Sequence, residues 1–243
     1  LNKLAGYLPN LFGGSADLAP SNKTELKGKA YFSAETPEGA NIHFGVREFA
    51  MAAICNGLAL HGGLRPFCAT FLVFADYLKP ALRLTVLYVL THDSIGVGED
   101  GPTHQPIEQI ASLRATPNTF VFRPADAKET AACYLAALGL QAPAVMALTR
   151  QDLPQLPDTT KEACRGGYVL RDPRARPTLS SWARARRSSC FTRRRIFWRP
   201  RVIRRGWFLC PAWSCLQSRM PPIRKACCPR PSASGSPWKR GLP

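Results

Sequence analysis

Up to residue 172 the chain alternates between helical and extended spacing of its apolar positions. Residues 45–61 place Val46, Phe49, Ala50, Ala52, Ala53, Leu58 and Leu60 at near-helical spacing, and Gly62-Gly63 stops that helix. The apolar run Pro66–Phe74 predicts a strand leading into a loop and another helix. The run between Thr85 and Thr91 has the continuous apolar character of a strand buried on both faces. Residues 94–106 are rich in Gly, Asp and His and predict a loop. A helix near Gln105–Leu113 follows, then a strand at Thr119–Phe122. Asp126, with Glu129 three residues on, predicts a capped helix through Leu140. Ala144–Leu148 reads as a strand and Gly167–Leu170 as a further short one. Strands separated by helices predict an α/β fold, a parallel sheet with helices on both faces. In such sheets ligands bind beyond the strand C-termini.

From residue 173 this periodicity stops, and composition sharpens the boundary. Residues 1–172 carry all 16 Asp/Glu and 15 Lys/Arg, one net negative charge. Residues 173–243 carry the other 18 Lys/Arg, no acid, and all five Trp. The chain therefore divides into a folded piece, 1–172, and a basic tail, 173–243, expected to be disordered. No run of about 20 apolar residues suggests a membrane span. The chain opens on Leu1 with no basic and apolar leader, so a fragment without a secretory signal is expected. Nine Cys without a C-x-x-C pair predict no zinc site, and the two His and loosely spaced acids of residues 92–106 fix no other metal's ligand set. Cys55, Cys68 and Cys133 fall in apolar surroundings and are expected to be buried thiols in a reducing, cytoplasmic setting.

Three constellations could carry chemistry. The loop from His92 to Pro106 holds two His, three carboxylates and flexible Gly directly after a buried strand. It could serve acid–base work or anion binding, or be a capped surface loop. Glu48 lies in an otherwise apolar segment, Gly45–Met51. It could pair with Arg47, or hydrogen-bond a ligand nitrogen with its pKa raised by burial. Phe71, Phe74 and Tyr77 recur every three residues and could be core or a stacking platform for a flat ring.

Together with Gly13–Asn22, these strings resemble transketolase, in order, across residues 1–172. The resemblance covers that family's middle, pyrimidine-binding domain. It implies thiamine diphosphate as cofactor and transfer of a two-carbon ketol unit between sugar phosphates. Glu48 matches the family's glutamate that bonds the aminopyrimidine and shares a proton with its ring nitrogen. Phe71, Phe74 and Tyr77 match the aromatic pocket around that ring, and Asp17 lies in a family motif near the cofactor. Ser21, His92 and Arg150 match donors to the sugar phosphate; a guanidinium forks well onto phosphate oxygens. Asp100 matches a reader of a substrate hydroxyl, and His104 a catalytic histidine near the donor ketose's reactive hydroxyls.

The departures count equally. The family builds its site from two domains on opposite subunits of a homodimer, or with a separate diphosphate-binding subunit in split relatives. The diphosphate-binding domain, which brings Mg or Ca, has no counterpart motif here. The chain alone is thus expected to be a fragment, with inertness as the alternative. The tail does not resemble the family's third domain as written. Read one base out of frame, however, Trp182–Ser188 is compatible with GTGSEV and Gly206–Cys215 with VVSMPCLEL, both similar to third-domain strings. A frame shift near residues 172–178 would also explain the missing acids. A nucleic-acid-binding tail is the rival reading. Its charge and Trp content would in any case attract polyanions non-specifically.

Overall fold

The apolar runs become the interior strands of a six-stranded, wholly parallel sheet. The structure, a computed structural model, describes residues 1–171, 179–183 and 205–209. The strands are β1 (Leu11–Ser15), β2 (Asn41–His43), β3 (Arg65–Phe71), β4 (Leu87–Thr91), β5 (Phe120–Phe122) and β6 (Ala144–Ala147). They lie in the order β2-β1-β3-β4-β6-β5. β4 and β6 are buried along their whole length, which their unbroken apolar sequence requires.

Helices α1 (Asn2–Ala5), α2 (Ala19–Asn22), α3 (Glu48–His61), α4 (Ala75–Leu78), α5 (Gln109–Ala115) and α6 (Ala127–Leu138) connect the strands. Two core clusters cover the sheet. One gathers Met51 and Cys55 of α3 with Leu72, Leu78 and Leu90. The other gathers Cys133 and Ala137 of α6 with Phe67, Val89 and Met146. Helices thus cover both faces, as the sequence predicts.

The capped helix is α6. Asp126 accepts a hydrogen bond from the Glu129 N–H at 3.0 Å, and the Glu129 carboxylate reaches back to the Ala125 N–H at 2.7 Å. Asp126 also accepts from the Leu156 N–H at 3.1 Å and the Thr159 hydroxyl at 2.6 Å. Tyr168, on β7 (Tyr168–Arg171), donates to Glu129 at 2.7 Å. Residues 155–168 are thereby tied to the start of α6.

Several expectations need correction. The sequence suggests no strand at β1 or β2. β1 is Leu-Phe-Gly-Gly-Ser, and glycine normally argues against a strand. Here it answers crowding: a Cβ on Gly14 would lie 2.0 Å from the Ile42 carbonyl oxygen, and one on Gly13 1.9 Å from that of Phe67. The helix expected from residue 45 begins at Glu48, because Gly45 takes a left-handed φ of +65°. Its expected buried face is also displaced. Val46 and Phe49 are 75% and 55% exposed, whereas Met51, Ala52 and Cys55 are buried. A helix apolar nearly all round leaves periodicity little to discriminate.

Cys55, Cys68 and Cys133 are buried reduced thiols, and Cys164 is an exposed one. In the tail, β8 (Leu179–Ala183) and β9 (Arg205–Leu209) form a second sheet with β7, in the order β7-β9-β8. Those two short strands were not expected. The disorder expected for the rest of residues 173–243 falls outside the described residues. Among the described residues no helix is long and apolar enough to cross a membrane.

Candidate functional site

Every residue singled out from the sequence follows the C-terminal end of a sheet strand or lies at it. Asp17 comes two residues after β1, with a left-handed φ of +60°. Glu48 opens α3, after β2. Phe71 ends β3, and Phe74 and Tyr77 follow it through a turn into α4. His92 directly follows β4, and Asp100 and His104 lie in the loop beyond. Arg150 follows β6. Parallel strands aim all these loops to one side of the sheet.

A cleft of about 790 Å³ opens there, and Asp17, Glu48, Phe49, Phe74, Tyr77 and His104 are among its walls. The three aromatics form a graded platform rather than plain core. Phe71 is buried, Phe74 half-buried and Tyr77 64% exposed. Phe74 stacks with Phe71 at 6.0 Å between centroids and lies 6.2 Å from Tyr77. His104 sets its edge against both phenylalanines, at 5.9 and 5.4 Å.

Glu48 differs from its expected setting. It is the first residue of α3 and half-exposed in the cleft wall, not enclosed within the helix. The expected desolvation by burial is therefore not supplied by this chain. Nor does Glu48 pair with Arg47, whose guanidinium turns back to the Phe44 carbonyl at 3.1 Å. Among the described residues the Glu48 carboxylate has no hydrogen bond or ion pair. It lines the cleft with its acceptor capacity unspent.

The second part of the site centres on His92. Its ring is 4% exposed, stacked on Phe71 at 3.7 Å, on a left-handed backbone with φ +58°. Asp100 Oδ2 lies between His92 Nε2 at 3.7 Å and Arg150 Nε at 3.8 Å. Burial lowers the His92 pKa, and the Asp100 carboxylate opposes that shift. Ser21 is exposed on α2 and makes no hydrogen bond to His92, Asp100 or Arg150. The neighbouring Asn22 instead joins α2 to the site. It donates to Ser15 Oγ at 2.7 Å and accepts from Thr91 Oγ at 2.6 Å.

Sequence reasoning missed three supports. Glu99 pairs with Arg150 at 2.8 Å, so an incoming anion competes with a carboxylate. Arg123 grips the residue after His92, through the Asp93 carboxylate at 2.7 Å and its carbonyl at 3.2 Å. The Ser15–Asn22–Thr91 chain is the third. All three join residues at least seven apart, where local pattern carries no signal.

With that geometry in place, comparison with known proteins is decisive. Residues 1–155 match the family model "Transketolase, pyrimidine binding domain". The chain belongs to the transketolase family. It is 58% identical over 181 residues to a chloroplastic transketolase of Craterostigma plantagineum, covering 71% of this chain and 35% of that protein. The fold superposes on transketolase from Pichia stipitis, solved with sedoheptulose 7-phosphate, with a TM-score of 0.87 at 38% identity. That match covers 94% of this chain and 36% of the other. A split-gene transketolase solved as an inactive beta4 tetramer also matches, with a TM-score of 0.62 at 26% identity. There the cover is 86% of this chain and 68% of that one. The chain spans about a quarter to a third of the length of the curated transketolases it matches. All the candidate site residues fall within the 1–155 segment matched to the transketolase domain.

Proposed function

We propose that this chain supplies the pyrimidine-side half of a ketol-transfer site and is inert until a diphosphate-binding domain completes it. The observation that carries this reading is the cleft at the strand C-termini. There an unpartnered glutamate faces an aromatic wall, and the His92–Asp100–Arg150 group joins it through His104 and Phe71. These residues fit thiamine diphosphate. Glu48 can share a proton with a ring nitrogen, and Phe71, Phe74 and Tyr77 can flank a flat ring. When bound, the cofactor supplies an electron sink that lets a carbon–carbon bond beside a carbonyl break and re-form.

The remaining work belongs to the chain's own side chains. Ser21, His92 and Arg150 hold the sugar phosphate, Arg150 exchanging Glu99 for the phosphate oxygens. Asp100 accepts from a substrate hydroxyl. His104, in T-shaped contact with two phenylalanines, moves a proton at the ketose hydroxyls. Asp17, on its left-handed turn, closes the cofactor side of the cleft.

Among the described residues no group of three His, Cys, Asp or Glu could hold a metal ion. We infer that Mg or Ca enters only with the diphosphate-binding domain, from a second copy of a longer chain in a homodimer or from a separate subunit. The reduced thiols fit a reducing compartment such as the cytoplasm.

The test is complementation. The purified chain with thiamine diphosphate and Mg should transfer no ketol unit. Addition of a transketolase diphosphate-binding domain should restore turnover, and Glu48→Gln should cut it about 10²–10⁴-fold. Turnover by the lone chain would overturn the half-site reading. Failure of the completed mixture to bind thiamine diphosphate would overturn the cofactor assignment.

Residues 173–243 we read as a third domain translated out of frame. The 71% of the 243 residues matched to a relative is about the length of the first piece, and the acid-free composition starts where that piece ends. Binding of nucleic acid by this tail is then non-specific and salt-sensitive. Resequencing the DNA across the codons for residues 165–190 decides the matter.

A further inference from the structure

The hydrogen bonds behind His92 have a direction, and it fixes which ring nitrogen carries the proton. Ser15 Oγ lies 3.0 Å from the Ala69 carbonyl oxygen, which can only accept, so Ser15 donates there. Its single hydrogen is then spent, and Ser15 Oγ must accept from Asn22 Nδ2 at 2.7 Å. That orients the Asn22 amide, leaving Oδ1 toward Thr91. Thr91 donates to it at 2.6 Å. Thr91 Oγ, its hydrogen also spent, can only accept from His92 Nδ1 at 3.0 Å. Ser15, Asn22, Thr91 and His92 are all buried, so water does not scramble the order. The chain crosses β3, β1, α2 and β4, all rigidly packed.

We propose that Ser15, Asn22 and Thr91 are positioning residues that hold neutral His92 in its Nδ1–H tautomer, so that Nε2 presents a lone pair and must take up a proton before it can donate to an anion. This role rests on the reading of His92 as a sugar-phosphate ligand. The groups facing the ring agree with a proton that arrives with the anion. Asp100 and Asp93 favour the imidazolium, while burial, Arg150 and His104 oppose it. Asp93 is itself neutralised by Arg123. A bound dianion beside Nε2 adds the missing negative charge, and the proton stays. Anion binding is thereby coupled to proton uptake at one identified nitrogen.

The test has two arms on the full chain. Nitrogen-15 correlation spectra of the four histidines, with His92 assigned by its loss in His92→Asn, report which ring nitrogen bears hydrogen above the titration. We expect Nδ1–H in the native chain and in Thr91→Ser. In Thr91→Val, which keeps the shape and removes the hydroxyl, Nε2–H should gain population. Neutral His92 with Nε2–H in the native chain, or an unchanged tautomer in Thr91→Val, would overturn the proposal. Should Thr91→Val not fold, Asn22→Ser serves as the second interruption of the relay, read the same way.

The other arm uses sulfate, which stays a dianion over roughly pH 5–9. Its affinity should fall about tenfold per pH unit above the His92 titration, as expected for one linked proton. Thr91→Val should flatten that slope. No sulfate binding at any pH would refute the anion-site reading of His92 while leaving the tautomer result to judge the relay. Sulfate binding with no pH slope in the native chain would overturn the proton coupling.

Discussion

Asp126→Ala should be among the costliest polar substitutions in this domain. The carboxylate is buried, 3% exposed, and its two oxygens accept four hydrogen bonds. Oδ1 caps α6 through the Glu129 N–H, and loss of such a cap costs about 1 kcal/mol. Oδ2 takes the Gln155 amide, the Leu156 N–H and the Thr159 hydroxyl. The Thr159 hydroxyl keeps the Leu156 carbonyl as an alternative partner at 2.9 Å. Exposed Gln155 can turn toward water. The Leu156 N–H has no such escape, and a stranded buried donor costs about 1–3 kcal/mol. Relief of the Asp126–Glu129 repulsion returns a fraction. The net loss should be about 2–4 kcal/mol. Asp126→Asn, which keeps one acceptor oxygen, should lose roughly half as much. Urea unfolding followed by circular dichroism gives both values as midpoint shifts at constant slope. Amide exchange at Leu156 should quicken more than at residues of β4. A loss below about 1 kcal/mol for Asp126→Ala, or equal losses for the two variants, would refute this accounting.

Two further outcomes are expected. Burial raises the Glu129 pKa and lowers that of His92, so their effects on stability run in opposite directions. The Glu129 contribution is complete below about pH 4.5 and is lost as pH rises through its raised folded value; that of His92 is complete above about pH 6.5 and is lost as pH falls through its lowered one. Unfolding free energy measured against pH should lose its low-pH gain in Glu129→Gln and its neutral-side rise in His92→Asn; unchanged curves would refute the assignments. Gly14→Ala should break the β1–β2 pairing, because its Cβ would overlap the Ile42 carbonyl at 2.0 Å. A loss of about 3 kcal/mol or more is expected, read from thermal melting, and a variant melting within 2 °C of the parent would refute it.

The sequence made much of this fold legible. The buried strand β4 showed in its apolar run and the cap of α6 in Asp126 and Glu129, because both signals are local. β1 escaped notice because its glycines answer crowding from Phe67 and Ile42, residues far along the chain. The face of α3 was misjudged because Glu48 is the one charged carboxylate in a mostly apolar stretch whose interior holds only Asn56 as a polar side chain, too few polar positions to define a stripe. At the site, residue types were readable and their settings were not. Glu48 proved to sit at a helix start in a cleft wall. The relay behind His92 needs Ser15, Asn22 and Thr91 brought together by the sheet, and no spacing along the chain announces that.

His92 also shows a trade-off between robustness and use. A non-glycine residue in the left-handed region gives up about 1–2 kcal/mol, whereas glycine there costs only about 0.5–1 kcal/mol of extra chain entropy. Glycine at position 92 would relieve that backbone cost, but it would also empty the buried space beside Phe71 that the imidazole fills. The strained backbone is thus held by the packing of the ring, and any replacement at this position would also remove the imidazole of the proposed anion site. A thermostabilising library for this domain should hold that position fixed from the outset.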